Sequence, residues 1–445
     1  MILDFSVTNF KSINETQTLS FEATNDKHLE DFFVIKKDKY RVLKLGTILG
    51  ANASGKSNVL KAFRLMRRLI LQPCENKSDT IDTDCFALDD NCREKDTELK
   101  MNFLCGENKY CYEVKFNNSI VSYESLTAHP FGELRSHEVF TRITDAKTMV
   151  ATLKLGEKYR SAKVKTVLTG NLLHNRTVFG AFQHSNVDVP WLAGLVNWAN
   201  DYLMPNVTTN DQNLMMYVAE LIADHQIKKE AVVDLLHKAD VGVCDFDLEK
   251  KEEQLPAELV ERIMNDNKAP NALKQHLKES PVSMEYKISM IHSGKDKQIA
   301  FEYEKESSGT HRYFELSGIL LQLVGHPHFV AIDELENKLH PDLYMHFVMT
   351  YLANAKESQL LFTTHIREFL EDRNTFRDDS VWFTEKSKVG STELYSLADF
   401  GSDVLRNSTN RSNAYRSGRL GGIPKLSDTY IAHPIEEDTD EQKDK

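Results

Sequence analysis

The apolar positions of this chain follow two rhythms, one with the period of strands and one with that of helices. Met1-Ile-Leu-Asp-Phe-Ser-Val-Thr-Asn-Phe10 alternates as a strand does. Val42-Leu-Lys-Leu-Gly-Thr-Ile-Leu49 is a nearly continuous apolar run, as in a buried strand, and Asn58–Met66 follows it with helical spacing. Residues 99–143 read as strands with turns at Gly106-Glu-Asn108 and Asn117-Asn118. From about 166 to 280 the pattern turns helical. Asp188–Met204 carries Trp191, Leu195, Trp198 and Leu203 near helical spacing; Asn213–Asp224 and Lys229–Lys238 read as a helical pair; Pro256–Asn265 opens with proline in its first turn. Residues 282–304 return as a hairpin around Ser293-Gly294-Lys295. No sustained heptad array is visible, which excludes a long coiled coil.

Between the run at 42–49 and the helix at 58 lies Gly50-Ala-Asn-Ala-Ser-Gly55-Lys56-Ser57, which fits G-x-x-x-x-G-K-[ST]. The chemistry requires these residue types. Glycines let the backbone curl so that successive N–H groups face phosphate oxygens, and the following helix turns its positive end to the same anion. Asn52, Ala53, Ser54 and Asn58 complete the expected cradle. Lys56 is expected to reach the β- and γ-phosphates and Ser57 to give its hydroxyl to Mg²⁺, so ATP and Mg²⁺ are the expected ligands.

Far downstream, His328-Phe-Val-Ala-Ile-Asp333-Glu334 is a short apolar run ending in two acids, as a Walker B strand does. Asp333 is expected in the Mg²⁺ shell, and Glu334 is expected to orient or deprotonate the attacking water. Three neighbours strengthen this reading. Glu306-Ser307-Ser308-Gly309-Thr310 precedes the helical stretch His311–Leu323, and a Ser-Gly step at a helix start suits an anion. Glu336-Asn-Lys-Leu-His340-Pro341 follows the acids directly. Leu360-Leu-Phe-Thr-Thr364-His365 is an apolar strand ending in polar residues, and a histidine at that edge of a parallel sheet lies on the ligand side.

This ordered set, with Asn9-Phe-Lys-Ser12 before it, resembles the ABC-type ATPase heads of the RecF, SMC and Rad50 group. More narrowly it is similar to the OLD-like AAA ATPases of bacterial abortive-infection and anti-phage defence loci, of the RloA or AbiLii kind. Tyr110-Cys-Tyr-Glu-Val-Lys-Phe116, Glu138-Val-Phe-Thr-Arg142, Asp333–Pro341, Val381-Trp-Phe-Thr-Glu-Lys386, Glu393–Leu397 and Asp399-Phe400 extend the likeness to about residue 425. The resemblance implies an α/β P-loop NTPase of ABC-ATPase type, with an antiparallel β lobe and a helical insertion. It also implies a head-to-tail homodimer, or a higher oligomer, in which Lys56 and Ser57 of one copy meet Ser307, Ser308 and Gly309 of another across ATP. Glu334 would act on the water and His365 on the γ-phosphate. The signature reads Glu-Ser-Ser-Gly-Thr where the family has Leu-Ser-Gly-Gly-Gln, so Ser308 stands at the first glycine. Gln72, at the end of the loop's own helix, is out of place for a glutamine loop.

Lys56 and Asp333 lie 277 positions apart, too far for a minimal two-layer nucleotide domain. The expected organisation is residues 1–165 and 281–400 as two parts of one ATPase head, 166–280 as the insertion and 401–445 as an extension. In that extension Arg406, Arg411, Arg416 and Arg419 read as a solvated loop, and Glu436–Glu441 as a disordered acidic tail. The net charge of −12 argues against broad, sequence-independent DNA binding while leaving room for a local basic patch. Six cysteines show no metal-ligand or C-x-x-C spacing and read as free thiols of a reducing cytosol. The start lacks the pattern of a signal peptide, and no apolar run reaches a membrane span, so a soluble, cytoplasmic protein is expected. The expected function is an ATPase switch of a defence system that controls a separate effector, a nuclease or toxin. A RecF-like DNA-repair ATPase that binds nucleic acid is the alternative.

Overall fold

The computed structural model describes residues 1–209, 211, 213–266, 271–401, 405 and 410–424. Strands β1 (Ile2–Thr8) and β2 (Gln17–Ser20), a short α1 (Glu30–Phe33), β3 (Val34–Lys37), β4 (Tyr40–Leu43) and β5 (Leu45–Gly50) lead to helix α2 (Lys56–Leu71). Next come β6 (Thr97–Cys105), β7 (Asn108–Phe116), β8 (Val121–Pro130), β9 (His137–Asp145) and β10 (Val150–Leu155). Helices α3 (Ala162–Asn171), α4 (Val178–Gln183), α5 (Pro190–Tyr202), α6 (Leu214–Ala223) and α7 (Lys229–Lys238) follow. They give way to β11 (Val243–Gln254), α8 (Ala257–Asn265), α9 (Asn271–Glu279), β12 (Val282–Ser293) and β13 (Gln298–Glu302). The last stretch holds α10 (Ser308–Gly325), β14 (Phe329–Ile332), α11 (Pro341–Asn354), β15 (Gln359–Thr364), β16 (Val381–Lys386), β17 (Thr392–Ser396) and α12 (Arg411–Arg416).

Two large sheets carry the α/β fold. The core sheet has the order β14-β15-β5-β16-β17, with the first four strands parallel and β17 antiparallel at the edge. Its inner strand β5 is buried at every position, which explains its continuous apolar pattern. The second sheet is an antiparallel lobe of order β10-β9-β8-β7-β6-β1-β2. Helix α2 lies between the sheets: Phe63 stacks on Phe5 of β1 at 4.0 Å and stands 5.2 Å from Phe329 of β14. Such aromatic pairs add to the area they bury. Gln359 staples the layers in the interior. Its side chain accepts from Ile2 N (2.6 Å) and Tyr202 Oη (2.8 Å) and donates to Ile2 O (2.9 Å) and Leu43 O (3.2 Å).

Three details depart from the pattern-based reading. The apolar run at 42–49 is two strands, broken at Lys44, whose buried amine donates to Ala355 O at 2.7 Å. The stretch 166–280 is not helical throughout. β11 runs from 243 to 254 and pairs with β12, which pairs with β13, so the expected hairpin is part of a three-stranded sheet. The exposed run Glu249-Lys-Lys-Glu-Glu-Gln254 has no apolar alternation to betray a strand. Lastly, Arg411 is no solvated loop residue. It opens α12, is buried, and grips Asp378 through Nε (2.7 Å) and Nη2 (2.6 Å). Arg406 and the acidic tail at 436–441 lie outside the described residues. Among the described residues no helix exceeds the 18 residues of α10, and none is long and apolar enough to cross a membrane.

Candidate nucleotide site

Parallel strands deliver their following loops to one edge of the sheet. Three such loops meet here: 51–55 after β5, Asp333-Glu334 after β14 and His365 after β15. The first wraps under the start of α2, with Ala53 at φ 61° and Gly55 at φ 112°. Its glycines are demanded by crowding as well. A Cβ at Gly50 would lie 2.4 Å from Thr384 Oγ1, and one at Gly55 would lie 2.1 Å from Thr392 Oγ1. Those threonines brace the loop: Thr384 Oγ1 bonds Ser54 Oγ at 2.6 Å, and Thr392 Oγ1 donates to Ser54 O at 2.8 Å. Ser12 ties in the N-terminal turn, since its Oγ bonds Thr392 Oγ1 (2.8 Å) and accepts from Asn58 Nδ2 (2.7 Å).

Lys56 is 6% exposed. Its amine donates to Gly50 O (2.8 Å) and Ala51 O (3.2 Å) and stands 3.4 Å from His365 Nδ1. Burial pulls its pKa below the usual lysine value, with Glu334, Asp333 and Glu336 opposing that shift. A buried ammonium that meets two carbonyls and a histidine nitrogen, with no carboxylate in ion-pair range among the described residues, suits an incoming polyphosphate.

Thr363 clips the acid pair in place. Its hydroxyl donates to Asp333 Oδ1 at 2.6 Å and accepts from Glu334 N at 2.8 Å. Glu334 sits at φ 47°, a left-handed conformation that costs a non-glycine residue on the order of 1 kcal/mol. Its carboxylate points back across the site, with Oε1 3.5 Å from His365 Nε2. The histidine backbone is fixed from below, where Glu336 Oε1 accepts from His365 N at 2.6 Å. Lys56, His365 and Glu334 thus line up side by side.

A cavity of about 410 Å³ lies in front of them, lined by Ser12, Asn52, Ala53, Gly55, Lys56, Ser57, Asn58, Glu334 and His365. A larger one, about 960 Å³, opens on the other side of the loop. It shares Asn52 and His365 with the first, reaches Gly50 and Ser54, and is walled by Lys386, Tyr415, Arg416 and Pro424. Asp333 stands behind Glu334, with one carboxylate oxygen engaged by Thr363. Ser57, which lines the cavity, and Asp333, which does not, would supply hard oxygen donors of the kind taken by Mg²⁺, an ion that uses few protein ligands and completes its shell with phosphate and water.

Ser307, Ser308 and Gly309 do not line the phosphate cavity. Ser307 caps α10, its Oγ accepting from Thr310 N at 3.0 Å, and a Cβ at Gly309 would lie 3.2 Å from Lys338 O. Within one chain the Ser-Gly turn adjoins the segment at Lys338 and lines none of that cavity. Gln72 is also remote: it caps the far end of α2, beside Arg64, Arg67 and Arg68, in a separate cavity. Sequence reasoning missed Thr363, Thr384 and Thr392 as supports, because a threonine in a strand carries no signal of what its hydroxyl meets.

The fold and site together define a P-loop nucleotide-binding α/β domain with an antiparallel β lobe. Residues 224–371 match the family model described as "AAA domain, putative AbiEii toxin, Type IV TA system". That segment holds Asp333, Glu334 and His365 and stops short of the phosphate loop. No curated protein matches the chain. Among solved structures, the chain is similar to an SmcHead bound to the C-winged helix domain of ScpA, at 14% identity and TM-score 0.43, covering 89% of this chain and 97% of that one. It is also similar to the SMC head domain from Thermotoga maritima, at 12% identity and TM-score 0.37, covering 89% and 98%.

Proposed function

We propose that this chain is an ATP-binding and ATP-hydrolysing switch whose copies close head to tail around ATP and Mg²⁺. The observation that carries the reading is the alignment of Lys56, His365 and Glu334 along one cavity, with the Ser307–Gly309 turn outside it. Loop N–H groups and Lys56 bind the phosphates. Ser57 and Asp333 would hold Mg²⁺, which would supply neutralisation of the phosphate charge. Glu334 accepts the proton of the attacking water, and His365, 3.5 Å away, steadies that carboxylate and faces the terminal phosphate. Ser307 and Gly309 of a second copy cover the nucleotide from the other side.

In the cell we read the chain as the ATPase component of a bacterial anti-phage or abortive-infection system, with the ATP state governing a separate effector. The family description naming an AbiEii toxin and a type IV TA system supports that setting. Lys56→Ala should abolish nucleotide binding, whereas Glu334→Gln should bind ATP yet lose roughly 10²–10⁴ in turnover. Wild-type turnover by Glu334→Gln would remove Glu334 from the chemistry.

A further inference from the structure

Arg312 lies one turn behind the Ser307–Gly309 step, on α10, and is only 5% exposed. Its Nε and Nη2 have no hydrogen-bond partner, and its Nη1 stands 3.9 Å from Glu315 Oε2, too far for a hydrogen bond. Burial pulls its pKa down, and the acids that oppose the shift are Glu315, Asp211 and Glu336. A guanidinium so placed is costly: an apolar side chain of similar volume would suit the site better on stability grounds. Buried polar groups left unmade call for an explanation.

The explanation lies on the facing segment. Glu336 Oε2 is likewise buried without a partner, while Oε1 of the same carboxylate holds the backbone N–H of His365 at 2.6 Å. The two segments touch, because a Cβ at Gly309 would meet Lys338 O at 3.2 Å. Two desolvated groups of opposite charge, each short of partners, thus sit on adjoining elements. One element carries the Ser-Gly turn and the other carries the grip on His365.

We propose that Arg312 is a positioning residue that couples the two half-sites of one chain. When the Ser307–Gly309 turn engages a nucleotide, Arg312 closes on the free oxygen of Glu336, and the carboxylate so fixed sets His365 for hydrolysis at the chain's own phosphate loop. This rests on the ATPase reading above and adds a direction to it: covering the neighbour's ATP licenses hydrolysis of one's own. A charge pair formed out of water is strong enough to bias a two-state turn, and no ion pair joins Arg312 to Glu336 in this structure.

The test uses the full chain and three readouts: thermal midpoint without nucleotide, ATP affinity, and phosphate release. Arg312→Met should keep or raise the midpoint and leave ATP affinity within about threefold, while kcat falls at least about tenfold, since a misplaced catalytic group loses up to roughly 10²-fold. Glu336→Gln keeps an acceptor for His365 N and should slow kcat similarly. The double variant should be no slower than the worse single, as expected when two residues act as one unit. Arg312→Lys should recover part of the rate. A midpoint and affinity that fall along with the rate in Arg312→Met would mark a merely structural arginine and overturn the proposal. So would losses that multiply in the double variant. A wild-type chain that hydrolyses no ATP would instead overturn the underlying reading.

Discussion

Replacing Thr363 by valine keeps the volume of the side chain and removes only its hydroxyl, which makes it the cleanest probe of how the acid pair is held. Two bonds vanish: the donation to Asp333 Oδ1 (2.6 Å) and the acceptance from Glu334 N (2.8 Å). A hydrogen bond to a charged group contributes roughly 1.5–3 kcal/mol, and an orphaned backbone N–H costs roughly 1–3 kcal/mol when fully buried. Asp333 and Glu334 are only partly buried, so water recovers some of this, and the expected net loss is about 2–3 kcal/mol. The same N–H bond holds Glu334 at φ 47°. Without it the residue can relax toward ordinary backbone, moving its carboxylate away from His365. Thr363→Val should therefore unfold at lower denaturant with an unchanged m-value, and it should hydrolyse ATP at least about tenfold more slowly. ATP affinity should stay near wild type, because Lys56 and the loop are untouched. Stability within about 0.5 kcal/mol of wild type together with full turnover would refute the reasoning.

Other outcomes follow from the same geometry. Gly55→Ala places a Cβ 2.1 Å from Thr392 Oγ1 at φ 112°, so it should cost about 2–5 kcal/mol and abolish ATP binding. Adding Thr392→Ala should return the part due to the clash and not the part due to φ, as read by thermal melts of the single and double variants. Glu124 is buried in the β lobe, where it accepts from Val178 N and Tyr112 Oη; desolvation raises its pKa to about 7. A raised carboxylate stabilises the fold below its unfolded value of 4.5, and that contribution is lost as pH rises through about 7. The loss amounts to roughly 3 kcal/mol across that window. Glu124→Gln should flatten this part of the stability–pH profile, and an unchanged slope between pH 5 and 8 would contradict the assignment.

Much of the site was legible because its chemistry is local in sequence. Gly50–Ser57, Asp333-Glu334 and His365 each end a strand of the core sheet, and parallel topology brings strand ends together without further instruction. The limits of α5, α6 and α7 were likewise readable from apolar spacing and fall inside the expected ranges. What sequence hid was long-range. Gln359 joins Ile2, Leu43 and Tyr202, partners separated from it by up to 357 positions, and no local pattern announces such a staple. Strand β11 was hidden for the opposite reason, since its outer half is charged on both faces and owes its conformation to pairing with β12. Arg411 looked like loop chemistry until Asp378 was seen opposite it.

The central claim is that the phosphate loop of one chain and the Ser-Gly turn of another build one hydrolytic site. The most direct test mixes two inactive variants, Lys56→Ala, which lacks the loop's cation, and Ser307→Arg, which blocks the turn. In a mixed pair, the intact loop of the Ser307→Arg chain faces the intact turn of the Lys56→Ala chain, so one complete site forms. Phosphate release measured on each variant and on the mixture should show activity in the mixture that neither has alone, at no more than about a tenth of the wild-type rate per complete site, because the blocked turn of the Ser307→Arg chain cannot license its own loop. A mixture as inactive as its components, with both variants folded and Ser307→Arg still binding ATP, would contradict the composite site.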